Sequence, residues 1–221
     1  MKSVSFLLDS NIITYWVMSN KVLTTVSKEL MLPKDMVRLY NDRYSSSSKL
    51  VDKIINGELK SNYRFYIYDF NVFETTAAIR NEIKSSYYFV HGVPMSKWSD
   101  RGGEMQVNEE LLSKIYHSFY EALDSLLHRG KLKLLAVPFS GNGDSFGDHL
   151  DAFLNIIFWA SSIQTQDAIL LSAYYVDGID YFVTEDDRLK RLSQSLSSLN
   201  KNTKHMFQII SPGDPIFSKV R

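Results

Sequence analysis

The chain has 221 residues, 44% of them apolar and 23% charged, with 25 Lys or Arg balanced by 25 Asp or Glu. That size and mixture suit one domain with a substantial core, and the zero formal charge argues against a polybasic binder, leaving any nucleic-acid affinity to a local patch. The lack of cysteine removes disulfides, thiolate nucleophiles and sulfur-ligated zinc.

Ser3 to Leu8 reads as a buried strand, a short apolar run ended by the polar Asp9-Ser10-Asn11. The run Phe6 to Leu8 is too short for a signal sequence, and no stretch offers the roughly 18 uncharged apolar residues of a membrane helix. The expected location is therefore the cytosol, with no membrane contact. Helical spacing follows in Met36 to Asp42 and again around Ile54 and Ile55, with Tyr44 to Ser48 read as a loop between them and Gly57 as a helix end. Tyr63 to Phe70 alternates like a strand, and Asn71 onward looks like a capped helix start.

Periodicity fails from Tyr87 to Val107, which opens an insertion expected at about 87–147. Inside it, Asn108 to His128 is helical, with Leu111, Ile115, Phe119 and Leu126 on one face, and Lys131 to Val137 is strand-like. Asp148 to Trp159 and Asp167 to Val176 read as helices, Tyr181 to Val183 as a short buried strand, Arg188 to Leu199 as a helix and Met206 to Ile210 as a last strand. Strands alternating with helices predict a single α/β domain over residues 1–221 around a mainly parallel sheet.

Open α/β sheets gather ligands beyond the carboxyl ends of their strands. Asp9 directly follows the first strand, Glu74 lies one turn into the helix after the second, Asp186 lies three residues beyond Val183, and Asp167 opens the helix feeding that strand. Taken singly, each acid is better explained at a helix end. Asn71 with Glu74 and Thr184 with Asp187 fit capping boxes, Asp167 complements a helix dipole, and Asp9 could cap the helix after it. Taken together, four carboxylates at one sheet edge repel one another and lose hydration, which a cation relieves. All-oxygen donors select Mg²⁺ or Mn²⁺, and two such ions about 4 Å apart can activate a water and steady the leaving oxygen of a phosphodiester.

The segments LLDSNII, FNVFETTAAI and QDAILLSAYYVDGIDYFVTEDDRL resemble the successive motifs of PIN-domain nucleases, over the span from Leu7 to Leu189. The resemblance implies a three-layer α/β/α fold and metal-dependent endoribonuclease activity. It makes Asp9, Glu74, Asp167 and Asp186 the metal-binding acids, with Asn11, Thr184 and Asp187 as supporting polar groups. The adjacent Asp186 and Asp187 leave open which of the two faces the metal, and spacing from Thr184 favours Asp186. Small PIN toxins of toxin-antitoxin operons are commonly shorter than this chain, the extra material lying in the early helices and from about Tyr87 to Gly147. A cognate antitoxin, another protein partner and a homodimer all stay open.

The expected substrate is single-stranded RNA. From Arg188 to Arg221 seven Lys or Arg face one acid, Asp214, so Arg188, Lys190, Arg191 and Lys201 are candidates for phosphate contacts, the alternative being a solvated tail. Tyr87, Tyr88, Trp98 and Arg101 could stack on unpaired bases, although packing explains them better. Gly141 to Gly147 matches neither dinucleotide nor P-loop spacing, and no histidine pairing has metal-ligand spacing, though His149 could touch substrate. Two other functions remain: an inactive PIN-like domain binding RNA or protein, and a haloacid-type phosphatase, for which Asn11 stands where a second Asp is wanted.

Overall fold

The computed structural model describes residues 2–98, 109–129, 132–136, 144–160, 163–196 and 207–218. At its centre lies β1 (Val4–Leu8), paired in parallel with β2 (Tyr63–Tyr68) on one side and β4 (Tyr181–Val183) on the other. β3 (Leu132–Leu135) extends the sheet beyond β2 and β5 (Ile209–Ile210) beyond β4, giving the order β3-β2-β1-β4-β5 with every pairing parallel. The chain thus builds outward from β1 to β3, then returns to the far side of β1 for β4 and β5. The order reverses between β1 and β4, which is where open parallel sheets offer a crevice.

The period of two along each strand divides the core into two layers. Phe6, Leu8, Phe65, Ile67 and Val183 join one buried cluster with residues of α1 (Ser10–Val17), α2 (Leu23–Glu29), α3 (Lys34–Asn56), α4 (Asp69–Val90) and α5 (Glu109–His128). Leu7, Tyr68 and Phe182 point the other way, into a cluster with residues of α6 (Asp144–Trp159), α7 (Thr165–Val176) and α8 (Asp187–Leu196). This is a three-layer α/β/α arrangement, as expected of a parallel sheet buried on both faces. Among the described residues no helix is long and apolar enough to cross a membrane.

The structure differs from the sequence reading in several local respects. The serine run does not break α3, because Tyr44, Ser47, Val51 and Ile54 form a buried stripe straight through it, and tertiary burial outweighs the weak helix preference of serine. Gly57 does end that helix, with φ of +66°. α4 starts at Asp69, and Asn71 sits inside its first turn, where Oδ1 accepts from Tyr68 N at 2.9 Å. The same helix runs on to Val90, taking in residues expected to be irregular. β3, within the span read as an insertion, is hydrogen-bonded into the sheet beside β2. After α1 the chain continues through a π-turn, Met18–Val22, that periodicity did not announce.

Candidate active site

Asp9 is the first residue beyond β1 and is only 5% exposed. Its extended backbone makes it the N-cap of α1, with Oδ1 accepting from Ser10 N at 2.7 Å, so the capping role expected of it is real. Capping does not account for its other oxygen. Oδ2 accepts from Asn11 Nδ2 at 2.6 Å and from Thr184 Oγ1 at 2.6 Å, the latter standing at the end of β4. Thr184 Oγ1 also accepts from Asn11 Nδ2 at 3.0 Å and from Asp186 N at 2.9 Å. A hydroxyl has one hydrogen and two lone pairs, so Thr184 is fully used and its proton is committed to Asp9.

Asn11 works on both sides of the crevice. Its amide nitrogen donates to Asp9 and Thr184, and its Oδ1 accepts from Glu185 N at 3.2 Å. Glu185 in turn accepts from the buried Ser47 of α3 at 3.2 Å. Ser10, Ser47 and Glu185 were not singled out from the sequence. Glu185 is adjacent to motif residues, but nothing local signals that Ser47 reaches it.

Glu74 lies in the second turn of α4, and Asn71 rather than Glu74 serves the helix start. Glu74 is therefore free of the capping role the sequence allowed it. Its Oε2 is buried without a hydrogen-bond partner. Burial, and after it the neighbouring Asp9, push its carboxyl up to about 7, with a Ser10 hydrogen bond offsetting part and Asp167 adding to the rise. Asp9 itself is pushed up to about 6, first by burial and then, against the Thr184 and Ser10 hydrogen bonds, by Asp167. Asp167, in the first turn of α7, is raised by burial and by Asp186, with Arg188 countering. The four expected acids thus act on one another in a chain, Glu74 with Asp9, both with Asp167, and Asp167 with Asp186.

Asp186 differs from the other three. Arg188 grips it, with the backbone N on Oδ1 at 2.7 Å, Nε at 3.2 and 3.1 Å from the two oxygens, and a terminal nitrogen on Oδ2 at 2.7 Å, and this holds its carboxyl below the ordinary range. Asp187 points away: its side chain is 80% exposed and pairs with Lys190 at 2.7 Å. Arg191 Nε donates to the Asp187 carbonyl at 3.1 Å. The α8 cations named for phosphate contact are thus engaged with local acceptors, and Lys201 lies outside the described residues.

The remaining candidates sit elsewhere. Tyr88 is buried, Tyr87 stacks on His91, and Trp98 Nε1 donates to the Val93 carbonyl, which are packing roles; Arg101 lies outside the described residues. Residues 141–143 of the glycine-rich loop lie outside them too, and Asp144 to Gly147 form the first turn of α6. His149 is buried with Nδ1 unpartnered, and it feels Asp177 and Asp148 rather than the four acids. A cavity of about 280 Å³ lined by Ile54, Tyr63, Phe65 and Lys133 opens at the opposite, amino end of the sheet and belongs to a different surface.

As a donor set the cluster suits a hard cation: its atoms are all oxygen, burial and neighbouring carboxylates raise Asp9 and Glu74, a strain a cation relieves, and Glu74 Oε2 lacks a partner. Its side chains are not at ligating distances as they stand, since among the described residues no three His, Cys, Asp or Glu are close enough to hold a metal ion. In comparisons with known proteins, no family model, no curated protein and no solved structure matches this chain.

Proposed function

We propose that the protein is a cytosolic, metal-dependent phosphodiesterase that cuts RNA, the activity its resemblance to PIN-domain nucleases implies. The observation that carries this reading is the mutual coupling of Asp9, Glu74, Asp167 and Asp186 at the point where the strand order reverses. Helix caps alone give no reason for neighbouring acids from separate segments to raise the pKa values of Asp9, Glu74 and Asp167. These four acids would hold Mg²⁺ or Mn²⁺, which would supply the Lewis acidity for activating a water and for stabilising charge on the leaving oxygen.

The chain's own groups then have separable tasks. Asn11 and Thr184 aim Asp9 Oδ2 by donating to it, and Ser10 fixes Oδ1. Glu74 Oε2, buried and without a donor, is the oxygen suited to take a proton from the attacking water near neutral pH. Asp186, gripped by Arg188, would have to release it to hold a cation with the other three, while Asp187 lies on the solvent side. Holding one ion in common requires the carboxylates to close toward one another from where they stand.

The test is a gel assay on a pool of end-labelled RNAs with Mg²⁺, Mn²⁺ or EDTA. Wild type should cut with either metal and stop in EDTA, and Asp9→Asn should be inactive in all three. Retention of RNA without cutting by wild type in any condition would instead favour an RNA-binding domain that has lost catalysis.

A further inference from the structure

One helical turn beyond the acids, α1 and α3 carry a second group of side chains. Asn11 and Tyr15 are four residues apart on α1, and Arg43 and Ser47 are four apart on α3, so each pair shares a helix face about 6 Å apart. The nearer rung is bonded to the acids through Ser47 to Glu185 at 3.2 Å, Glu185 to Asn11 at 3.2 Å and Asn11 to Asp9 at 2.6 Å. The farther rung is aromatic and cationic. Tyr15 stacks on the buried Tyr44 at 4.6 Å between centroids and 23° between planes, and Tyr40 lies against Tyr44 at 5.6 Å. The Arg43 guanidinium sits over both stacked rings, 5.5 Å from the Tyr15 centroid and 5.7 Å from that of Tyr44.

Arg43 is exposed and almost unspent as a donor. Its one hydrogen bond is a long one, 3.5 Å to the Tyr15 hydroxyl, and among the described residues it forms no ion pair. Glu82 reaches it only at longer range, and burial already raises that carboxyl. The two rings hold the guanidinium at cation–π range, and with one long hydrogen bond most of its N–H donors are available to a phosphate. Arg188, the cation that reaches the acids directly, is occupied by Asp186. Tyr15 and Tyr40 are each half-buried, so part of each ring is open to a base that is not paired.

We propose that Arg43, with Tyr15 and Tyr40, binds the nucleotide next to the one whose phosphate is cut, and so selects an unpaired RNA strand. One helical turn is comparable to the step between neighbouring phosphates along a strand. The inference rests on the nuclease reading and adds a binding group that the acid motifs do not contain.

Fluorescence anisotropy with a labelled single-stranded RNA in EDTA, alongside kcat and KM in Mn²⁺, tests it. Arg43→Ala should weaken binding and raise KM by about tenfold with kcat within twofold, an effect of the size found for single base-stacking or phosphate contacts. Arg43→Lys should recover only part of the loss, since an ammonium lacks the guanidinium's N–H fork. A duplex of the same sequence should bind more weakly than the single strand. If wild type cuts RNA while Arg43→Ala matches it in Kd and KM, or loses kcat alone, or if duplex binds as tightly as single strand, this inference falls and the nuclease reading stands. If wild type neither binds nor cuts RNA, both fall.

Discussion

Thr184 Oγ1 donates to Asp9 Oδ2 at 2.6 Å, joining the ends of two adjacent strands across 175 residues of sequence. The same oxygen accepts from Asn11 and from Asp186 N, so one hydroxyl fixes the positions of three candidate site residues. Thr184→Val keeps the shape and removes all three bonds. It leaves buried polar groups short of partners and should cost about 1–3 kcal/mol in urea unfolding. It should also raise the Asp9 carboxyl further and cut RNA cleavage sharply, whereas Thr184→Ser should retain most of both stability and activity. Equal stability and activity in Thr184→Val would show that this hydroxyl organises nothing.

The metal-free protein should lose stability as pH rises. Asp9 and Glu74 have folded-state pKa values of about 6 and about 7, above their ordinary 3.8 and 4.5, so between pH 4 and 7 the folded chain holds more protons than the unfolded one. Stability therefore falls as pH rises through that window and levels off above it. For the nearly fully buried Asp9, the rise to about 6 corresponds to about 3 kcal/mol. Asp167, Glu82 and Glu185 are raised as well and push the same way. Asp186, held low by Arg188, contributes stability that is lost only below pH 4, and His149, held neutral by burial, works against the trend. Urea unfolding in EDTA should give a less stable wild type at pH 8 than at pH 5, with a smaller difference in Asp9→Asn. A flat or rising profile would mean that these carboxyls are not penalised as described.

Cleavage should leave a 5′-phosphate and a 3′-hydroxyl, because water is the nucleophile and the RNA 2′-hydroxyl is not needed. Attack by the 2′-hydroxyl usually enlists histidine, and among the described residues no histidine contributes to the electrostatics of the four acids; the buried His149 feels Asp177 and Asp148. Mapping product ends by phosphatase and ligase treatment decides this. Products ending in 2′,3′-cyclic phosphate would rule out the hydrolytic route.

The sheet and the addresses of the acids were legible because each rests on a local signal. β1 is an apolar run stopped by Asp9, β4 is one stopped by Thr184, and the long α5 shows a continuous apolar face. What was not legible depends on residues distant in sequence. The serine run in α3 looks like a loop until the sheet and α1 bury one side of it, and that burial is also what brings Ser47 to Glu185. Asn71 and Glu74 fit a capping box by spacing, yet the helix begins two residues earlier, so Asn71 serves the cap and Glu74 is left over. The adjacent Asp186 and Asp187 could not be told apart by type, whereas their partners separate them: one coupled to Asp167 and gripped by Arg188, the other out in solvent with Lys190.

The central claim is that four acids form one cation site, and thermal melting with Mn²⁺ and with EDTA tests it most directly. At a hundred times its dissociation constant a ligand adds about 2.7 kcal/mol, which for a chain of this size is a rise in Tm of roughly 5–10 °C. Wild type and Asp187→Asn should both show that rise, while Asp9→Asn, Asp167→Asn and Asp186→Asn should each lose most of it. No rise in wild type, or a rise kept by Asp186→Asn and abolished by Asp187→Asn, would contradict the site as assigned.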